Sequence, residues 1–168
     1  MTDAMVRAAA GADDLRGAAE LRWEWKGDED RLGRAEFAEG LVAWAEAHAA
    51  SHTCFVAERD GAIVGCAWLA LTDRVPGPAN FARLTGDVQS VYVTPSARRA
   101  GIGAALIRAI LDSATDAGLE RVVVHSSTEA VAFYRGAGFR SSDILLDVDI
   151  PLGDPTPGDG IVGRKDLS

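Results

Sequence analysis

Arg98-Arg99-Ala100-Gly101-Ile102-Gly103 sets two cationic side chains beside two glycines, a combination suited to holding an anion against the main chain. Val88-Gln89-Ser90-Val91-Tyr92-Val93, rich in β-branched and aromatic residues, precedes it, and Leu106, Ile107, Ile110, Leu111, Ala114 and Ala117 recur after it at helical spacing. The spacing predicts strand, loop and helix in that order. A helix entered this way offers free backbone N–H groups and the positive end of its macrodipole, and glycines let a phosphate approach closely. A P-loop is excluded because no Gly-Lys-Ser or Gly-Lys-Thr follows the glycines. A dinucleotide fingerprint is weakened: Leu106 stands where its third glycine belongs, and a connection beginning Thr94-Pro95 separates strand from glycines.

Composition narrows the remaining classes. A chain of 168 residues, 48% apolar, suits one domain with a full core, expected over residues 1–150, with the Gly/Pro/Asp-rich stretch 151–168 as a tail. Net charge of −8 speaks against nucleic acid and suits a cationic partner better. Cys54 and Cys66 read as buried thiols in a reducing cytoplasm rather than as a disulfide. No basic-plus-apolar leader and no membrane-spanning run is seen, and no His/Cys/Asp set has metal-ligand spacing, so the expectation is a cytoplasmic protein without a metal or a membrane partner. No Ser-His-Asp arrangement can be inferred from His48, His52 and His125.

The elements that must position the anion loop are legible on either side. Val6 to Ala9 is a short strand, and Asp13 or Asp14 is placed to cap a helix carrying Leu15, Ala18, Ala19 and Leu21. A second helix is expected over residues 35–48 with Phe37, Leu41, Trp44 and Ala45 on one face. Thr53 to Glu58 and Ala62 to Leu69 flank Asp60-Gly61 as a hairpin, and Pro76-Gly77-Pro78 marks a long loop between Asp73 and Gly86. A strand over Arg121 to His125, a helix ending in Phe133-Tyr134, and a last strand over Ile144 to Ile150 complete the order, with Phe139 to Ser142 or Ile161-Val162 as a further strand.

Arg-x-x-Gly-x-Gly after a strand ending Tyr-Val-Thr-Pro resembles the acetyl-CoA signature of the GNAT acetyltransferase superfamily. Thr128 to Phe139, with its Phe-Tyr pair and Gly-Phe exit, resembles that family's next motif, and the hairpin upstream also agrees. The resemblance covers roughly residues 5–149. It implies an α/β (α+β) fold: a mixed sheet of six to seven strands, about four helices, and central strands splayed to bind acetyl-CoA as co-substrate. The pyrophosphate would rest on Arg98, Arg99, Ala100, Gly101, Ile102, Gly103 and Ala104, and the pantetheine arm would pair with Val91, Tyr92 and Val93. Val93 N–H would polarise the thioester carbonyl. Tyr134 corresponds to the tyrosine near the cofactor sulfur and becomes the candidate acid, with a packed core tyrosine as the alternative. Asp87 stands where some members carry a glutamate, as candidate base, against a turn residue, His125 or a water chain. Ser127 replaces the asparagine that many members carry, and would cap its helix or bond the pantetheine.

The implied activity is acetyl transfer to a primary amine of a small molecule or a peptide N-terminus, with a homodimer plausible. The competing readings are a coenzyme A-binding regulatory module without turnover and a nucleotide-dependent oxidoreductase, for which Glu120 would be the ribose contact. Trp23 and Trp25 stand either as lining of an amine pocket or as core, Trp44 and Trp68 as core, and Asp28, Glu29 and Asp30 as a solvated run or a lure for cations.

Overall fold

The computed structural model describes residues 4–26 and 32–150. Five strands form one sheet in the order β1-β2-β3-β4-β5. They are β1 Met5–Ala8, β2 His52–Arg59, β3 Ala62–Asp73, β4 Leu84–Val93 and β5 Arg121–Val124. All neighbours run antiparallel except β4 and β5, which are parallel and joined by α3, Ile102–Asp116. The other helices are α1 Ala12–Lys26, α2 Arg34–Ala47 and the short α4 Val131–Gly136. Among the described residues no helix is long and apolar enough to cross a membrane.

The β2–β3 hairpin forms as its turn residues require: Asp60 and Gly61 have φ of 54° and 77°, left-handed values that match the twist of the flanking strands. The sheet then separates two apolar layers. On one face α3 buries Leu106, Ile107 and Ile110 against Phe55, Ala67, Leu69 and Val88. Each such side chain contributes roughly 1.5–3 kcal/mol on leaving water. On the other face Ala18 and Leu21 of α1 and Ala45 of α2 pack on Cys54, Val56, Cys66, Trp68 and Tyr92.

Both cysteines are buried and free, and burial pushes the Cys66 thiol up to about 12. Trp68 is core as expected, whereas Trp44 is 39% exposed and lies over His48, His52 and Trp68. The small residues Ala38, Val42 and Ala45 make the buried stripe of α2 instead, because they let the helix sit close to α1. Neither Asp13 nor Asp14 is an N-cap. The Asp14 carboxylate lies in the first turn of α1, accepts from Ala10 N–H and pairs with Arg7, which holds it below the usual carboxylate range.

The C-terminal part departs further from expectation. Phe139 to Ser142 and Ile144 to Ile150 form no strand, and Ile144, Leu146, Val148 and Ile150 are exposed. An alternating pattern makes a strand only where a partner pairs with it, and among the described residues none does. The sheet described therefore has five strands where six or seven were expected. Ile161-Val162 and Asp28, Glu29 and Asp30 lie outside the described residues.

Candidate functional site

The main feature of the site is a parting of two strands. β4 and β5 pair from Thr85 with Arg121 to Val88 with Val124, and the ladder stops there although β4 continues to Val93. Its other edge stays on β3 up to Val93, with one irregularity where Ser90 and Val91 together oppose Ala67. Ser90 has φ of 51° in this bulge, a conformation rare for a residue with a side chain. Thr94 N–H donates to Val64 O on β3, at 2.9 Å. Successive peptide groups of a strand face opposite sides, so Val93 and Val91 turn theirs toward the opening, and Tyr92 turns toward β3. At the opening Arg98 Nε donates to Val93 O at 3.0 Å.

The anion loop closes the same end. After Val93 a single turn, Pro95–Ala97, leads into Arg98 and Arg99, and α3 starts at Ile102. Arg99 and Gly101 have φ of 62° and 77°, and this double left-handed bend turns the main chain into the helix. Gly101 is the N-cap and no side chain caps α3, so its first-turn N–H groups are available to a ligand. Gly103 lies close under Phe133: a Cβ there would stand 3.3 Å from its ring. The loop therefore packs on the Phe-Tyr helix, and the two motifs meet in space.

Tyr134 lies on the α3 face of the sheet, its ring edge-on to Phe133 and Phe139 with centroids 5.0 and 5.5 Å away. The residue is 9% exposed, and burial raises its hydroxyl above the usual phenol value. No described residue hydrogen-bonds that hydroxyl. Asp87 lies on the opposite face, one pair before the ladder ends, between Ala70 and Val123. Its carboxylate accepts from Gln89 Nε2 at 2.7 Å. Asp87 and Tyr134 thus lie on opposite faces of the sheet. Ser127 caps no helix with its hydroxyl; the Glu129 carboxyl is held below its usual range first by its own backbone N–H and then by the Ser127 hydroxyl. His125 is exposed just beyond β5. Glu120 is bound by both ends of the Arg83 guanidinium, at 2.8 and 2.9 Å, which removes it as a ribose contact.

Residues that the sequence left undecided also gather here. Trp25 stacks on Tyr92 at 5.7 Å, and Trp23 tilts against Phe37 at 5.8 Å. Arg22 Nη1 donates to Ser90 Oγ at 2.7 Å, and the Tyr92 hydroxyl donates to Glu24 Oε1 at 3.0 Å. Arg22 and Glu24 carry no motif, and only the docking of α1 on β4 brings them to the site. A cavity of about 680 Å³ lies elsewhere. It runs along the outer edge of β5 between Leu111, α4 and Ile144, with Tyr134 in its lining.

The acetyltransferase (GNAT) family model matches residues 16–139. The chain is 32% identical over 96 residues to a glucosamine 6-phosphate N-acetyltransferase of Trypanosoma brucei brucei, a match spanning 57% of this chain and 63% of that protein. A solved acetyltransferase structure from Trypanosoma brucei superposes with a TM-score of 0.69 at 27% identity, over 88% of this chain and 100% of that one. A structure from Clostridium acetobutylicum, described as a predicted acetyltransferase with acetyl-CoA, gives 0.69 at 19% identity, over 87% of this chain and 96% of that one. With an open-edged strand leading into an uncapped, glycine-bent helix and the family model matching both, the chain belongs to the acetyltransferase (GNAT) family.

Proposed function

We propose that this chain is an N-acetyltransferase that uses acetyl-CoA to acetylate a primary amine, of a small molecule or a peptide N-terminus, by direct attack within a ternary complex. The observation that carries this reading is the early end of the β4–β5 ladder at Val88, directly beside the uncapped start of α3. An extended pantetheine arm would add to β4 at Val91 and Val93 as a short strand does, with the diphosphate on the main chain from Arg99 to Ala104 and Arg98 beside it. For that pairing Arg98 gives up its bond to the Val93 carbonyl.

Bound acetyl-CoA supplies the acetyl group as a thioester. The acceptor ammonium first loses a proton to a base, for which Asp87 is the candidate because it stands beside the opening, with His125 or water as alternatives. The amine nitrogen then forms a bond to the acyl carbon while Val93 N–H receives the charge gathering on the acyl oxygen. As the carbon–sulfur bond breaks, the nitrogen gives up its second proton to solvent and Tyr134 gives its proton to the departing sulfur. The products are an N-acetyl amide and the free thiol, and solvent restores both side chains. Burial of Tyr134 supports this role, since a phenol held above its ordinary pKa stays protonated until the sulfur needs the proton.

The test is thiol release from acetyl-CoA across a panel of primary amines, with calorimetry of coenzyme A binding. Turnover together with binding supports the proposal. Binding without turnover on any amine would point to a regulatory module, and absence of binding would overturn both.

A further inference from the structure

Arg22 is the group that this mechanism does not use. It lies on α1, its guanidinium held 2.7 Å from Ser90 Oγ, at the point where β4 bulges beside the opening. One of its five N–H donors is engaged there, leaving a fork that fits an oxyanion in two-point fashion. Ser90 holds that contact from a left-handed backbone, a strained conformation of the kind that is kept at functional sites.

The surrounding charge points the same way. Arg22 and Lys26 lie over the Trp25 ring at 6.0 and 5.3 Å, and Arg98 lies over Tyr92 at 5.5 Å. Trp25 and Tyr92 are themselves stacked, so three cations share one aromatic pair. None of the three forms an ion pair among the described residues, in a chain whose net charge is −8. Among the described residues, the Glu24 carboxylate accepts from the Tyr92 hydroxyl on the same aromatic pair. A neutral or purely cationic acceptor gains nothing from such a cluster.

We infer that the acceptor is an amine that also carries an oxyanion, a carboxylate or a phosphate, and that Arg22 is the residue that reads it. The inference rests on the acetyl-transfer reading and narrows its substrate class. Arg22 takes the anionic group on the bulge side of the opening, Trp25 forms an apolar wall, and Glu24 favours the ammonium end. An amine with opposite charges a few atoms apart satisfies all three.

Matched acceptors test this with acetyl-CoA saturating: ethanolamine against phosphoethanolamine, and propylamine against β-alanine. The anionic member of a pair should show kcat/KM at least tenfold higher, mainly through KM, and the better pair identifies the oxyanion. Arg22→Met should bring that ratio close to one, and Arg22→Lys should keep part of it because the charge remains without the fork. Coenzyme A affinity by calorimetry should be the same in all three proteins. Equal use of neutral and anionic amines by the wild type would overturn the inference and leave acetyl transfer standing. So would an Arg22→Met protein that loses coenzyme affinity while its acceptor ratio stays intact, since the cations would then serve the coenzyme. Failure to acetylate any amine would overturn the acetyl-transfer reading, and this inference with it.

Discussion

Tyr134 separates packing from chemistry within one side chain. Its ring packs edge-on against Phe133 and Phe139, while its hydroxyl bonds to no described residue. Tyr134→Phe should therefore fold normally, with an unchanged melting temperature, while kcat falls by ~10²-fold as expected for loss of a general acid. Steady-state kinetics beside a thermal melt checks this, and an unchanged kcat removes Tyr134 from the role. Because burial raises this phenol, its deprotonation comes later than that of a free tyrosine. The alkaline fall in kcat that it causes should lie above pH ~10. The cysteines make a second case. Burial raises both thiols, so a thiol reagent at pH 8 should modify neither in the folded protein and both after denaturation.

At the scale of elements, two glycines are constrained by different causes. Gly86 lies on β4 where a Cβ would come within 2.7 Å of Leu119 and 2.8 Å of Leu69. Gly86→Ala should cost about 1–3 kcal/mol of stability through overpacking, read by denaturant unfolding. Gly101→Ala meets no neighbour but is held at φ of 77°, so it should cost ~1–2 kcal/mol or reshape the bend, with weaker coenzyme A binding by calorimetry. Both the hairpin turn and the bend into α3 were legible from the sequence, because Asp60-Gly61 and Gly101 mark left-handed backbone locally. The end of the β4–β5 ladder was implied only by the family resemblance, since pairing between strands separated by a whole helix leaves no local pattern. The Ser90 bulge and the Arg22 and Glu24 contacts left no signal at all, because they arise when α1 docks on β4. Trp44, left partly exposed over His48, His52 and Trp68, and the unpaired Ile144 to Ile150 segment show the opposite error: size and alternation suggested a core residue and a strand that the packing does not complete.

For the molecule as a whole, several carboxylates are stabilised in their charged form by folding. Arg7 lowers Asp14, Arg16 lowers Glu39, and Arg83 lowers Glu120. A group whose pKa is lower when folded contributes stability above its unfolded value and loses it as pH falls toward the folded one. The melting temperature should therefore hold steady near neutrality and decline below pH ~4, which a calorimetric series across pH would show. The parted strands have a last consequence. The main chain of Val91 and Val93 faces a gap that a pantetheine arm would close, so without ligand those two amides remain in contact with water. Deuterium uptake should be fast at Val91 and Val93 in the free protein and should slow on adding coenzyme A, while Tyr92, already bound to β3, stays slow throughout.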